Sequence, residues 1–241
     1  DINMGCPDKT IEKQGAGAAM IKNLPQAKEI IRAVKRGAPN LPVSVKTRIG
    51  YNKNEIDTWV RGLLEEDLAA LTIHARTRKE MSLVPARWEH VREVVDLKNK
   101  MGKDTLIIGN GDLLDIADAR KKALETGCDG VMLGRALFGN PWLFVEQKVI
   151  AVGQSTADDR VGLGSGNHAV TIEERLRVLV EHAQEFERVL CPHKSFAVMK
   201  KHFKAYVNGF DGAKELRMQL MNTENSKQVS EIIGEFLKKP L

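Results

Sequence analysis

A chain of 241 residues, 42% hydrophobic and 29% charged, can fill one large α/β domain, or one domain plus a small helical one. No apolar run approaches the roughly 18 residues of a membrane span, and no signal peptide is visible. The three widely spaced cysteines, Cys6, Cys128 and Cys191, give neither a disulfide framework nor a metal-ligand spacing, so a reducing, cytoplasmic setting is the simpler one, and the net charge of +5 hints at a polyanionic partner without specifying it.

The first segment reads Asp1-Ile-Asn-Met-Gly-Cys6-Pro7, an apolar–polar run that stops at a Gly-Cys-Pro turn. It predicts the C-terminal end of a strand that delivers a thiol to a loop, the place where parallel α/β folds do chemistry. Strand-like runs follow at Pro42–Lys46, Ala70–His74, Thr105–Gly109 and Gly130–Gly134. Between them lie amphipathic stretches at Pro25–Arg36, Glu55–Glu66, Trp88–Lys98 and Leu113–Glu125. This alternation predicts βαβ units and a parallel sheet. Each strand end carries polar or glycine residues: Asn3 and Cys6, Lys46 and Arg48, His74 and Arg76, Asn110 and Asp112, Gly134 and Arg135. Their repeated placement is that of a (β/α)8 barrel with its site at the strand C-termini. The chain supplies about the last five units of such a barrel, so the pattern expects three more strands upstream in a longer protein.

The stretch Ala151–Val170, with its Gly-rich Val161–Asn167, breaks the pattern and reads as a linker or insertion. Thr171-Ile-Glu-Glu174 then opens a helical, strand-poor region. Helices are expected over Ile172–Leu190, Lys194–Val207, Ala213–Met221 and Ser226–Leu237. The expected organisation is a partial barrel over 1–152, a linker over 153–170 and a small all-α domain over 171–241.

Cys6 sits between Gly and Pro at a strand end, where packing demands are low, and this favours a chemical role over that of a small buried hydrophobe. Lys46 ends an otherwise apolar strand, where an ammonium is costly unless it meets an anion or a polar ligand. Gly134-Arg135 ends the last strand and opens a helix, so free N–H groups and a guanidinium are available to a phosphate. Gly109-Asn-Gly-Asp112 offers backbone amides to the same ligand, and Asp112 also reads as the cap of the next helix. His74 alone reads as a satisfied core histidine. Arg48 reads equally as a ligand or a solvated loop residue, and Arg76 and Arg78 suit an anionic ligand and a solvated surface equally. In the tail, Cys191–Asn208 holds Lys194, Lys200, Lys201, His202 and Lys204 with no acidic residue. An ordinary surface helix mixes both signs, so this stretch suggests contact with a phosphate backbone.

Together these segments resemble the tRNA-dihydrouridine synthases. The resemblance rests on Asp1–Pro7 with Gln14–Ala19, Val43–Gly50, Thr72–Thr77, Ile108–Asp112 and Val131–Trp142, and it resumes at Met199–Phe203. Ala75, where that family usually has glycine, departs from the pattern. The resemblance implies a flavin-binding barrel followed by a helical domain that grips tRNA, with FMN bound, NADPH as reductant and no obligate protein partner. It implies Cys6 as general acid, with Asn3 against the target base. Lys46, His74, Asn110, Gly111, Asp112, Gly134 and Arg135 would hold FMN. Lys194, Lys200, Lys201, His202 and Lys204 would contact tRNA, and no metal is expected. Two other readings compete: an FMN barrel reductase of a free pyrimidine, similar to dihydroorotate dehydrogenases, and a non-catalytic RNA-binding remnant.

Overall fold

The computed structural model describes residues 1–144 and 170–238. The chain divides into two compact units, Asp1–Arg135 and Ala136–Leu241. The linker expected over 153–170 lies, but for Val170, outside the described residues.

In the first unit five short strands form one sheet: β1 (Ile2–Met4), β2 (Ser44–Arg48), β3 (Ala70–His74), β4 (Leu106–Asn110) and β5 (Gly130–Met132). They are all parallel, and their order in the sheet is their order in sequence. A doubly wound sheet reverses its strand order, whereas the wall of a β/α barrel does not. The register pairs Asn3 with Lys46, Arg48 with His74, His74 with Asn110, and Asn110 with Met132. The strand-end residues therefore share one rim of the sheet.

Period-two alternation sorts the faces of each strand. In β2, Val45 and Thr47 are fully buried, while Ser44 and Lys46 alternate with them on the other face. The buried face is covered by α2 (Leu24–Gly37), α3 (Arg61–Leu64) and α4 (Glu89–Lys100), which follow α1 (Lys9–Lys13). Ile31, Leu63, Leu64, Val91 and Val94 from these helices join Val45, Leu71, Ile73 and Ile107 in one core. Asn23 caps α2, and Pro25 occupies its first turn, where a missing N–H costs nothing.

Three elements differ from the sequence reading. The stretch expected as one helix over Glu55–Glu66 is a π-helical turn, Ile56–Val60, followed by α3. Its Trp59 is buried and donates its indole N–H to Thr47 Oγ1 at 3.0 Å, which ties the turn to β2. Next, α5 (Ile116–Thr126) starts three residues later than expected, with Asp115 rather than Asp112 as its cap. Asp112 adopts a left-handed φ of 52° and turns its carboxylate toward the strand ends instead. Finally, α1 and a 3-10 turn over Gly17–Lys22 precede α2 in the first connection, where only the Pro25–Arg36 helix was expected.

The second unit holds α6 (Ile172–Leu190), α7 (Lys200–Tyr206), α8 (Ala213–Leu220) and α9 (Ser226–Leu237). Thr171 and Glu174 form a reciprocal capping box at the start of α6. The helix expected over Lys194–Val207 is a 3-10 turn, Phe196–Met199, running into α7. Leu176, Leu179, Met199, Phe203, Leu220 and Val229 form a separate core. Among the described residues no helix is long and apolar enough to cross a membrane, and no cluster of three or more His, Cys, Asp or Glu side chains could hold a metal.

Candidate active site

The loop after β1 presents Cys6, which is half-buried. Gly5 lets this loop run against β2, since a Cβ there would lie 3.1 Å from the Thr47 backbone. Asn3 Oδ1 accepts the backbone N–H groups of both Gly5 and Cys6 at 3.0 Å. The Cys6 carbonyl accepts the Ala18 N–H at 2.9 Å. Gly17, at φ 59°, closes over it so tightly that a Cβ would sit 2.7 Å from the Cys6 carbonyl oxygen. From β2, the buried Arg48 donates Nε–H to the Gly5 carbonyl at 2.9 Å.

Beside the thiol loop stands a row of polar strand ends. Lys46 Nζ donates to Asn110 Oδ1 at 3.0 Å, and Asn110 Nδ2 donates to the Met132 carbonyl at 2.8 Å. Burial, and then the nearby Arg48 guanidinium, push the Lys46 ammonium below its ordinary value. His74 is pushed down to about 3, by burial first and then by Arg48, Lys46 and Arg76. Arg76 Nη1 lies 3.2 Å from His74 Nε2. A guanidinium can only donate, so Nε2 is the acceptor and the neutral ring carries its proton on Nδ1.

Arg76 is itself 3% exposed, ion-paired to Asp112 and hydrogen-bonded to the Val84 carbonyl at 2.6 Å. Asp112 also accepts from the Ala86 N–H at 2.8 Å and from Arg135 Nη2 at 2.5 Å. Burial works against the Asp112 charge, but these hydrogen bonds and the two guanidinium fields outweigh it and hold the carboxyl below its usual range. A cavity of about 310 Å³ lies among these groups, lined by Pro7, Arg48, His74, Arg76, Met81, Asn110, Gly111, Asp112, Gly134 and Arg135. Its volume is at the lower end for a ligand pocket, and its charged lining is cationic by three guanidinium groups to one carboxylate. A larger hollow of about 590 Å³ opens between α4 and α5, lined by Trp88, Arg92, Leu114 and Lys122 among others. It mixes charges of both signs and is lined by neither His74, Asn110 nor Arg135, all of which line the smaller cavity at the strand ends.

A family model described as dihydrouridine synthase (Dus) matches residues 1–239. The chain belongs to the dihydrouridine synthase family. The "Probable tRNA-dihydrouridine synthase" of Staphylococcus aureus (strain MRSA252) is 37% identical over 238 residues, 98% of this chain and 66% of the relative. Its namesake in Staphylococcus epidermidis (strain ATCC 12228 / FDA PCI 1200) is 37% identical over 237 residues, 98% of this chain and 67% of the relative. The "Probable tRNA-dihydrouridine synthase 2" of Bacillus subtilis (strain 168) is 37% identical over 242 residues, 100% of this chain and 68% of the relative. The chain thus spans about two thirds of the length of the curated relatives it matches.

Within this dihydrouridine synthase fold, His74, Asn110, Gly111, Asp112, Gly134 and Arg135 line one cavity, and Lys46 is hydrogen-bonded into it through Asn110. The dihydrouridine synthases are flavin-dependent, and the donor set suits a flavin mononucleotide. A half-buried lysine and a neutral imidazole stand at the strand ends, and Arg135 is 66% exposed beside Gly134, where a Cβ would meet nothing within 4 Å. That open backbone and an exposed guanidinium, here paired with Asp112, are groups that can receive a phosphate. Gly111 serves packing instead: at φ 135°, its Cβ would fall 2.7 Å from Ala86 and 3.3 Å from His74.

Arg76 and Arg78, which the sequence leaves open as ligand or surface cations, are both ion-paired within the protein, and Arg76 also lines the cavity. Arg76 is committed to Asp112, and Arg78 to Glu12. Arg48 is not a solvated loop residue, because it ties Gly5 to the Thr77 and Met81 carbonyls at 3.1 and 3.3 Å. The alternation of Ser-Val-Lys-Thr-Arg already put Arg48 on the same strand face as Lys46, a signal the sequence reading did not use. In the tail, Lys194, Lys201 and Lys204 are exposed and Lys200 is half-buried. None of the four pairs with a carboxylate among the described residues. His202 instead packs edge-on against His182 and Phe138, at ring separations of 4.8 and 6.0 Å. Burial and then Lys201 lower its pKa, so the charge of this face is carried by the lysines.

Proposed function

We propose that this chain reduces a uridine of tRNA to 5,6-dihydrouridine, with FMN held at the strand ends and NADPH as the source of electrons. The observation that supports this most directly is the partly exposed thiol of Cys6 beside a row of Lys46, His74 and Asn110 at the rim of a parallel sheet. Bound FMN would supply a hydride to C6 of the uracil ring.

Cys6 completes the reduction by giving its thiol proton to C5, so that one hydride and one proton saturate the 5,6 bond. The bonds from Asn3, Ala18 and Arg48 to the backbone around Cys6 fix where that proton is delivered. The Asn3 carbonyl oxygen is committed to the loop, which leaves its amide N–H₂ to donate to a carbonyl of the base. Lys46 and His74 would hold the flavin ring. Asn110, Gly111 and Asp112 would hold its ribityl chain, and Gly134 and Arg135 its phosphate, for which Arg135 exchanges Asp112. The base must leave the tRNA stack to reach the thiol. Lys194, Lys200, Lys201 and Lys204 of the second unit would grip the phosphate backbone meanwhile. A tRNA substrate places the protein in the cytoplasm.

The test is dihydrouridine content, by mass spectrometry, in tRNA from a cell that lacks its own synthases. The cell carries the full-length gene as wild type or as Cys6→Ala. Wild type is expected to restore dihydrouridine at one position. The variant is expected to lose about a hundredfold or more of the initial rate while still binding flavin. No dihydrouridine from a well-expressed, flavin-loaded wild type would overturn the proposal in favour of a free-pyrimidine reductase.

A further inference from the structure

Helix α1 begins three residues after Cys6, yet it has only five residues and none of them is buried. A helix so short, without a buried anchor, does not hold itself in place. What holds it lies 66 residues away in sequence. Glu12 of α1 is paired through both oxygens to Arg78, in the loop after β3: Nε donates to Oε1 at 2.9 Å, and Nη2 donates to Oε2. The Glu12 side chain is only 10% exposed and that of Arg78 22%. Tyr51, in the loop after β2, stacks against this pair. The Arg78 guanidinium lies 5.3 Å from its ring centre and Lys22 Nζ 3.8 Å from it. The backbones interlock as well, since Arg78 N–H donates to the Gly50 carbonyl at 2.9 Å and Lys79 N–H to that of Tyr51 at 2.8 Å.

We infer that Glu12, Arg78 and Tyr51 form a latch that positions the Cys6 loop for proton transfer. They are positioning residues and touch no reactant. The inference rests on the proposed reaction for its catalytic meaning, but not for its physical content. Three consecutive strand-end loops meet at the latch, so it fixes the thiol loop relative to the rim on which the other strand-end groups stand. A fork-to-carboxylate pair suits this task because it fixes direction as well as distance. Neither Lys22 nor Tyr51 alone could do so.

The experiment uses the full-length, flavin-loaded protein as wild type, Glu12→Gln, Arg78→Gln, Arg78→Lys and Tyr51→Phe. Iodoacetamide labelling of Cys6 is followed by peptide mass spectrometry, with Cys191 as the internal reference. Opening the latch is expected to raise Cys6 labelling about tenfold in both Gln variants, with Cys191 unchanged. Single-turnover formation of dihydrouridine is expected to fall about tenfold, as misplacement of a reacting group by an ångström or less would do, while tRNA affinity stays within about twofold. Arg78→Lys and Tyr51→Phe, which keep the charge and the ring respectively, are expected to fall between wild type and the Gln variants. Unchanged Cys6 labelling and turnover in both Gln variants would overturn the latch. So would Cys6 and Cys191 labelling rising together with a loss of melting temperature, since that is general loosening. If wild type forms no dihydrouridine but the labelling pattern holds, the functional reading fails and the latch stands.

Discussion

His74 is uncharged at neutral pH because burial and three cations oppose a fourth positive charge, and this has a consequence for stability. In the unfolded chain its imidazole takes up a proton below about pH 6.5, whereas in the folded chain it does so only near 3. Its contribution to stability is therefore present above pH 6.5 and is lost as the pH falls from 6.5 toward 3. Between pH 7 and pH 5 the loss amounts to about 2 kcal/mol. Urea melts of wild type and His74→Gln, followed by tryptophan fluorescence at both pH values, check this. The variant should lose about 2 kcal/mol less than wild type on acidification. An equal loss would mean that the folded site carries a protonated His74. At this scale the sequence was readable where an ammonium interrupts an apolar strand, as at Lys46, and less so at His74, which by itself reads as a core histidine. It was unreadable where meaning depends on a distant partner. Arg76 finds Asp112 36 residues on, and Arg78 finds Glu12 66 residues back. Neither pairing leaves a mark in local pattern.

Elements were legible in proportion to their own periodicity and caps. The boundaries of α6 and α9 match the sequence expectation because each has a strong amphipathic face and a side-chain cap, Thr171 and Asn225. Helix α1 was missed because five residues without a buried side chain carry no periodic signal. The glycine before Asn110 shows how an element can be placed correctly and its reason misread. In sequence, Gly109-Asn-Gly-Asp112 reads as a turn that offers backbone amides to a ligand. In the structure Gly109 makes room for Trp88, whose ring would lie 2.4 Å from a Cβ at that position. Trp88 is buried and donates its indole N–H to the Gly111 carbonyl at 3.0 Å, so β4, α4 and the turn that backs His74 are packed as one piece. Gly109→Ala must push that ring aside. It is expected to destabilise the protein by about 1–3 kcal/mol, as overpacking does, and to weaken flavin binding as the Gly111 turn shifts. Thermal melts and flavin titration test this. A variant with wild-type stability and flavin affinity would show that Trp88 has room to move.

Across the whole chain, charge is distributed with a purpose that neither core requires. Most cations of the first unit near the sheet rim are spoken for: Arg76 by Asp112, Arg78 by Glu12, Arg48 by three carbonyl groups. The basic stretch of the second unit is different. Phe196, Met199, Phe203 and Tyr206 are buried in its core, while Lys194, Lys201 and Lys204 point to solvent with no carboxylate partner among the described residues. Unpaired exposed ammonium groups contribute little to folding, so replacing all three with Gln is expected to leave stability within about 0.5 kcal/mol per site. The proposed function assigns their effect to RNA binding. Each phosphate contact releases condensed counterions, so the dependence of log K on log salt steepens by about 0.7–0.9 per contact. The triple variant should therefore bind tRNA more weakly at all sequences and show a slope shallower by about 2–3. Its turnover at saturating tRNA should match wild type, because the proposed function gives these lysines a grip on the phosphate backbone and no part in the proton transfer. Filter binding across a salt series, beside single-turnover rates, separates the two effects. An unchanged slope would assign the phosphate contacts to other residues and leave the lysines as solubilising surface.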